Sequence, residues 1–157
     1  MCTVNDLVTK LALQPYPEGG FYREVFRSTE RVTTTRGTQR SAMTSIYYLL
    51  PGTTFSTWHR LTADETWHFY QGSSLTLVII KPEGSLLQRS IGPDGPWQIT
   101  LAAASHFAAY VDDAQGYALV GCTVAPGFEF ADFLLAGRAV LTAAYPQHAE
   151  IIARYSR

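Results

Sequence analysis

The feature that most restricts the fold is a series of short segments rich in aromatic and β-branched residues, separated by glycine and proline. The segments read FYREVF, SIYYLL, TWHFY, SLTLVII, WQITLA, YALVGCTV and FEFADFLL. Turn signals such as Pro51-Gly52 and Pro126-Gly127 recur between them about every ten residues. This pattern is typical of an antiparallel sandwich, jelly roll or closed barrel, because connections this short cannot hold the helices of a parallel sheet. The sequence therefore predicts an all-β fold.

Helices are predicted only at the two ends of the chain. Apolar residues recur at helical spacing between Val4 and Leu13, behind a threonine that can cap the helix. After Pro146, a second amphipathic stretch predicts a final helix that packs Ile151 and Ile152. No linker or internal repeat interrupts the 157 residues, so we expect residues 1–157 to form a single domain.

The charge pattern excludes some partners. Lys and Arg number 12 against 13 Asp and Glu, for a formal charge of −1, and the basic residues are scattered rather than clustered. A nucleic-acid or anionic membrane surface normally needs a basic patch, so we expect neither partner. Cys2 and Cys122 form no disulfide framework, and neither a signal peptide nor a membrane span is visible. We therefore expect a cytoplasmic protein in which Cys122, set among apolar neighbours, fills the core.

The segment PGTTFSTWHRLTADETWHFYQG holds the densest group of metal-ligating residues in the sequence. His59, Glu65 and His68 supply two imidazoles and a carboxylate, a set that binds a divalent transition metal and leaves coordination positions open for substrate. The alternative is a group of half-exposed polar residues at a hairpin. Both interpretations stay open at this point.

The same segment resembles the first motif of the cupins. Gly52, His59, Glu65 and Gly72 match the motif, and Leu61 stands where cupins have a second histidine. Within that superfamily, the chain is similar to the uncharacterised cupin type 5 family, a domain of unknown function related in fold to dTDP-sugar 3,5-epimerases. The matching stretches run nearly end to end: PEGGFYREVFRS, TSIYYLL, HRLTADETWHFYQG and GCTVAPGFEFADF.

The resemblance implies a double-stranded β-helix, that is a cupin jelly-roll barrel, with a polar pocket in the barrel mouth and pairing into homodimers. It does not imply a particular reaction. The second cupin motif falls on LAAASHFAAYV, where Phe107 occupies the position of the usual third metal histidine and His106 replaces a tryptophan. His106 either adds a ligand-binding group to the pocket or lies outside the barrel, because adjacent strand residues face opposite ways.

The same alternation separates Glu65 from His68, which are three residues apart, and places Glu65 and Trp67 on one face. A bulge in the strand would be needed to turn both Glu65 and His68 inward. A bound divalent metal (Fe, Mn, Ni or Zn) and a metal-free pocket therefore both remain open.

The N-terminal stretch PEGGFYRE is the other candidate part of the site. Gly19 and Gly20 permit a turn that residues with a Cβ resist, and a strand follows. The stretch is either an edge strand with solvated charges or, as the resemblance implies, a segment that brings Glu18 and Tyr22 to the pocket mouth or the dimer contact.

Three functions fit these residues. The first is a sugar epimerase or isomerase, with His59 or His68 as general base and Tyr22 or Tyr70 as acid. The second is a metal-dependent cupin enzyme, an oxygenase or isomerase, that uses His59, Glu65 and His68. The third is a module that binds a small molecule without chemistry. All three require polar residues in an apolar barrel mouth. We expect the barrel to bind a small polar, carbohydrate-like ligand, and we prefer the first function.

Overall fold

The protein folds into two packed antiparallel sheets, which confirms the all-β jelly roll. The computed structural model describes residues 3–157. The strands are β1 Gln14–Pro15, β2 Phe21–Arg27, β3 Arg31–Thr33, β4 Gln39–Ser41, β5 Thr44–Pro51, β6 Phe55–Leu61, β7 Asp64–Gly72, β8 Leu75–Ile80, β9 Leu86–Ile91, β10 Gln98–Leu101, β11 His106–Val111, β12 Tyr117–Ala125 and β13 Phe133–Leu135. One sheet has the order β1-β2-β5-β12-β7-β10 and the other β13-β6-β11-β8-β9, while β3 and β4 form a separate hairpin.

The main core lies between the two sheets and follows from strand alternation. Every second residue points inward, so Leu75, Leu77 and Ile79 of β8 meet Trp67 of β7 and Phe107 of β11. Burial of each large apolar side chain contributes roughly 1.5–3 kcal/mol to the stability of the folded state. Rigid packing from both sheets fixes the inward-facing polar residues that share this space.

The first helix, α1, spans Val4–Lys10 and covers the outer face of the six-stranded sheet. It begins with the predicted cap: the Asp6 N–H donates to the Thr3 hydroxyl, and the Asp6 carboxylate accepts from the Thr3 N–H. Its buried Leu7 packs with Leu49 and Leu119. The predicted N-terminal helix is therefore confirmed, although it ends at Lys10. Cys2 lies outside the described residues.

Two helices cover the outer face of the five-stranded sheet. They are α2 Arg138–Ala144 and α3 Ala149–Arg154, of which α3 matches the predicted C-terminal helix. Leu141 and Ile152 are buried against Trp58, whose indole N–H donates to the Ile152 carbonyl at 3.0 Å. The sequence did not predict α2, because its Gly137 cap supplies no side-chain hydrogen bond and Leu141 is its only buried residue.

Candidate functional site

A cleft of about 130 Å³ opens beside the inner face of the six-stranded sheet. Inward-facing residues of β2, β5, β7 and β12 form its wall, together with the segment that follows β12. The lining residues are Gln14, Tyr16, Tyr22, Glu24, Arg27, Thr44, Ile46, Glu65, Cys122, Val124, Phe128, Glu129 and Phe130. The cleft thus combines aromatic rings with several carboxyl groups.

Glu65 is the buried carboxyl of this cleft. Its side chain comes from β7 and faces inward, with the residue only 7% exposed. Its Oε2 atom is buried and makes no hydrogen bond of normal geometry among residues 3–157, although the indole N–H of Trp67 and the thiol of Cys122 interact with the carboxyl group. A buried carboxyl oxygen without a hydrogen bond lowers the stability of the folded protein. Such a group is therefore a candidate for binding a ligand.

The surroundings of Glu65 set its protonation near neutral pH. Burial, followed by the charge of Glu18, raises the pKa of Glu65 to about 7, while His59, Trp67 and Cys122 act in the opposite direction. Both the protonated and the ionised forms of this carboxyl are therefore accessible near neutral pH. Burial also raises the pKa of the Cys122 thiol well above its usual value, so Cys122 stays protonated.

Glu18 and His59 form a buried pair next to Glu65. The Nε2 atom of His59 lies 2.9 Å from Oε2 of Glu18, and the two residues are 2% and 4% exposed. The other Glu18 oxygen accepts a hydrogen bond from the Ser56 hydroxyl at 2.9 Å. Neither Glu18 nor His59 lines the cleft. The pair therefore acts on the cleft through Glu65.

The proton positions of this pair follow from its partners. Nδ1 of His59 lies 2.8 Å from the Thr57 carbonyl oxygen, which can only accept, so Nδ1 carries a proton. Burial by itself would lower the pKa of His59, but the charge and hydrogen bond of Glu18 and the bond to Thr57 outweigh it, and the net shift is upward. The pairing with Glu18 thus favours the imidazolium form of His59.

A β-bulge places Ser56 and His59 on the same face. Phe107 of β11 pairs with His59 and Ala109 pairs with Ser56, so Thr57 and Trp58 together oppose the single residue Ala108. Both extra residues turn outward, where the Thr57 hydroxyl donates to the carbonyl of Tyr155 in the C-terminal segment. The C-terminal segment thereby holds the bulge in place.

The turn before β2 delivers Glu18. The Gly19 N–H donates to the Tyr16 carbonyl, and the Gly19 carbonyl accepts from the Tyr48 hydroxyl at 2.8 Å. Gly19 and Gly20 have φ values of +116° and +73°, and a Cβ at Gly19 would overlap the Phe55 carbonyl oxygen. The paired glycines are therefore required to bring Glu18 against β6.

At the mouth of the cleft, Arg27 is held by two carboxylates. Its Nε and Nη2 donate to both oxygens of Glu24, its Nη1 donates to Glu129, and Nη2 also donates to the Phe128 carbonyl. A second bulge, at Val25 in β2, turns Glu24 and Arg27 toward the same side. The sequence analysis did not single out these three charged residues. No residue type in FYREVF indicated the bulge at Val25.

His68 and Tyr70 lie away from the cleft. Glu65, Trp67 and Phe69 face inward, so His68 faces the outer side of the sheet, where its Nε2 is 3.5 Å from the Thr123 hydroxyl. Tyr70 is the extra residue of a bulge in β7 and is 53% exposed. The structure therefore does not bring His68 or Tyr70 to Glu65 and His59, as strand alternation predicts for His68.

His106 and Trp67 also take positions that differ from the rest of the predicted site. His106 lies on the outer side of β11 beside Tyr145, with its Nδ1 unpaired among the described residues. Burial, and then Arg60 and His59, lower the pKa of His106 to about 4. Trp67 faces inward but belongs to the core, where it packs on Tyr48. Tyr22, in contrast, lines the cleft, and Glu18 is buried against His59 without lining it.

The predicted metal ligands do not form a metal site. His59 and Glu65 are near each other, but His68 is on the opposite face of the sheet. Both ring nitrogens of His59 are already engaged, by Thr57 and Glu18, so neither has a free lone pair for a metal. Across residues 3–157, no three His, Cys, Asp or Glu side chains are grouped in a way that could hold a metal ion. The residues present thus do not fit the metal that the cupin fold suggests.

The two sheets and the polar residues buried between them, beside a cleft, define a cupin-type jelly roll. A family model described as Cupin superfamily (DUF985) matches residues 5–136. The chain belongs to this family, which confirms the resemblance drawn from the sequence. No protein with a curated description matches the chain.

Solved structures agree with this assignment. A protein from Shewanella oneidensis is 38% identical with a TM-score of 0.91, covering 100% of this chain and 99% of its own. A hypothetical protein from Leishmania major is 34% identical with a TM-score of 0.88, covering 98% of each chain. Oxalate decarboxylase from Bacillus subtilis is 14% identical with a TM-score of 0.58, over 90% of this chain and 36% of its own, and shares the fold alone.

The helices of the structure are short. Within residues 3–157, none is long and apolar enough to cross a membrane.

Proposed function

We propose that this protein binds a small polar, carbohydrate-like molecule in the cleft and exchanges a proton with it at Glu65, as a sugar epimerase or isomerase does. The observation that carries the proposal is the buried carboxyl of Glu65, a residue that lines the cleft. Carbohydrates present both apolar ring faces and hydroxyl groups, and the cleft offers aromatic side chains together with polar ones.

The protonation of Glu65 supports acid–base chemistry. A general acid or base works best when its pKa lies near the working pH, and Glu65 has a pKa of about 7. The sequence analysis assigned the base to His59 or His68. Glu65 takes this role in the proposal because His59 is enclosed by Glu18 and Thr57, and His68 faces the other side of the sheet.

The reaction uses only a proton that leaves and returns. Glu65 as carboxylate takes the proton from a carbon next to a carbonyl, and the electron pair of that C–H bond moves onto the carbonyl oxygen. The Tyr22 hydroxyl, which lines the cleft, donates a hydrogen bond to that oxygen. When the enolate turns in the cleft and presents its opposite face to Glu65, return of the proton to that face gives an epimer. Return of the proton to the former carbonyl carbon, with the hydroxyl proton shifted between the two oxygens, gives an isomer.

The Glu18–His59 pair serves as a positioning group in this scheme. The His59 imidazolium lowers the pKa of Glu65 against the effect of burial, so that the carboxylate form is populated at neutral pH. Without that cation, Glu65 would stay protonated and could not act as a base.

The proposal is tested by hydrogen exchange in heavy water. Reducing aldoses and ketoses are incubated with the protein, and loss of the proton signal next to the carbonyl is followed by NMR. We expect exchange with at least one sugar, and we expect Glu65→Gln to slow it by at least about 100-fold, because the base is removed while the shape is kept.

The matched control is Glu83→Gln, which changes an exposed carboxylate bonded to Ser85 and should leave exchange unchanged. Equal exchange rates in the wild-type and Glu65→Gln proteins would contradict the role of Glu65. Saturable binding without any exchange would instead favour a binding module that performs no chemistry.

A further inference from the structure

We propose that the ligand of this cleft carries a protonated amino group, so that its class is that of hydroxylated amines such as amino sugars rather than neutral or anionic sugars. This inference rests on the proposed function, since it names the substrate class of the same cleft. The observations that carry it are the charges, the hydrogen bonds and the aromatic rings of the lining residues.

The cleft holds more carboxyl groups than cations. Glu24, Glu65 and Glu129 line it, whereas Arg27 is the one basic side chain among its described lining residues. Arg27 lies within 2.9 Å of an oxygen of Glu24 and of Glu129, so those two carboxylates together leave one negative charge at the mouth. Glu65 adds a further negative charge whenever it is ionised. An electrostatic surplus of this sign favours a cation inside the cleft.

Arg27 is also unable to receive an anionic ligand. Four hydrogen bonds run from its guanidinium to Glu24, Glu129 and the Phe128 carbonyl, which leaves one of its five N–H groups. A phosphate or carboxylate bound here would have to displace a carboxylate from Arg27 and would face Glu65 unscreened. The cleft therefore disfavours sugar phosphates, sugar nucleotides and small dicarboxylates.

The aromatic residues suit a cation as well. Tyr16, Tyr22, Phe128 and Phe130 line the cleft. Two pairs of these rings pack edge to face. The interplanar angle is 69° for Tyr16 and Tyr22 and 81° for Phe128 and Phe130, and the ring centroids are 4.4 and 5.0 Å apart. Rings at such angles present both edges and faces, and a ring face attracts an ammonium group.

The Glu65 carboxyl gives separate evidence for a ligand that donates hydrogen bonds. Its buried Oε2 is the one oxygen of these three carboxyl groups that is buried without a hydrogen bond among residues 3–157. The indole N–H of Trp67 and the thiol of Cys122 interact with this carboxyl but carry no charge. An ammonium group in the cleft donates hydrogen bonds to the Glu65 carboxyl and also neutralises its charge. A neutral hydroxyl group would donate a hydrogen bond but would leave the charge of the carboxylate uncompensated.

The test compares the binding of three sugars that have the same ring but carry a positive, a zero and a negative charge. Binding of D-glucosamine, D-glucose and D-glucuronate is measured by amide NMR titration at about pH 6.5, where a primary amine next to hydroxyl groups is protonated. Tetramethylammonium serves as a cation without hydroxyl groups. We expect glucosamine to shift the amide signals of the cleft and to bind at least about tenfold more tightly than glucose, with glucuronate weakest.

Two variants locate the effect. Glu129→Gln removes one charge from the cleft, and Glu65→Gln replaces a carboxyl that an ammonium group can hold in its ionised form with a neutral amide. Both variants should reduce the preference for glucosamine over glucose, with the larger loss at Glu65. Glu83→Gln removes a charge elsewhere and should leave the preference unchanged.

The outcomes separate this inference from the proposed function. Glucose bound as tightly as glucosamine, or glucuronate bound more tightly, would overturn the amine while leaving a carbohydrate ligand in place. Binding of tetramethylammonium together with failure of all three sugars would uphold the cation and overturn the carbohydrate. No shift of the cleft signals by any of the four probes would overturn the inference, and the exchange experiment would then judge the proposed function by itself.

Discussion

Replacing His59 with alanine is expected to lower the free energy of unfolding by about 3–5 kcal/mol. The substitution removes the imidazolium from beside Glu18 and Glu65, which are 4% and 7% exposed, and leaves two buried carboxyl groups without a cation. It also removes the ring that packs against Phe107, with centroids 4.1 Å apart. Urea unfolding followed by tryptophan fluorescence measures the loss.

The loss should depend on pH in a stated direction. Without His59, burial and the charge of Glu18 raise the pKa of Glu65 in the folded state further above that of the unfolded chain. A raised carboxyl pKa contributes stability at low pH that is lost as pH rises, so the deficit of His59→Ala should grow from pH 4 to about pH 7. Above the raised pKa of His59 the wild-type imidazolium loses its charge, so the deficit should shrink again.

The matched control is the double variant Glu18→Gln with His59→Ala, which removes the buried charge along with its partner. It should be less destabilised than His59→Ala alone. A loss in the single variant that is independent of pH and no larger than in the double variant would contradict the ion pair.

Replacing Trp58 with alanine is expected to cost a similar amount, about 3–5 kcal/mol, for a different reason. Trp58 is fully buried between β6 and the C-terminal helices, where it packs on Leu141 and Ile152 and donates to the Ile152 carbonyl. Its loss opens a large cavity and frees α3. Because Trp58 also belongs to the bulge that turns His59 inward, the change should reach the site.

Two measurements check this prediction. Urea unfolding gives the loss of stability, and amide hydrogen exchange should show loss of protection over residues 149–154. Trp58→Phe keeps most of the packing but removes the hydrogen bond. Its loss of unfolding free energy should therefore exceed the part due to the smaller side chain by roughly 1 kcal/mol. Unchanged exchange of α3 in Trp58→Ala would contradict the role of Trp58 as the anchor of the C-terminal segment.

The strand pattern was sufficient to predict the class of fold. Aromatic and β-branched segments with regular turns became the strands, and the apolar positions of α1 and α3 became buried contacts. Alternation also separated Glu65 from His68 and His106 from Phe107, as the structure has them. These features depend on residues close together in the sequence, so they can be predicted from one sequence.

The site was harder to predict because bulges and long-range pairs form it. Ser56 and His59 share a face only because Thr57 and Trp58 oppose one residue of β11, and no residue type in TTFSTWH indicates this. The partner of His59 is Glu18, which lies 41 positions earlier and reaches β6 through a glycine turn. The sequence contained both residues as candidates, but not their contact.

Several expectations remain predictions. They are a single domain over residues 1–157, assembly into a homodimer and a cytoplasmic location. Sedimentation of the purified protein would test the homodimer directly.

The most direct test of the site is the pKa of Glu65 itself. Carbon-13 NMR of labelled glutamate carboxyl groups, titrated from about pH 3 to 9, gives this value, and the signal missing from Glu65→Gln assigns it. We expect a pKa near 7 in the wild-type protein. In His59→Ala we expect it to rise further, because the cation that favours the carboxylate is gone. A Glu65 pKa of about 4.5, unaffected by His59→Ala, would contradict a buried proton-exchanging carboxyl in this cleft.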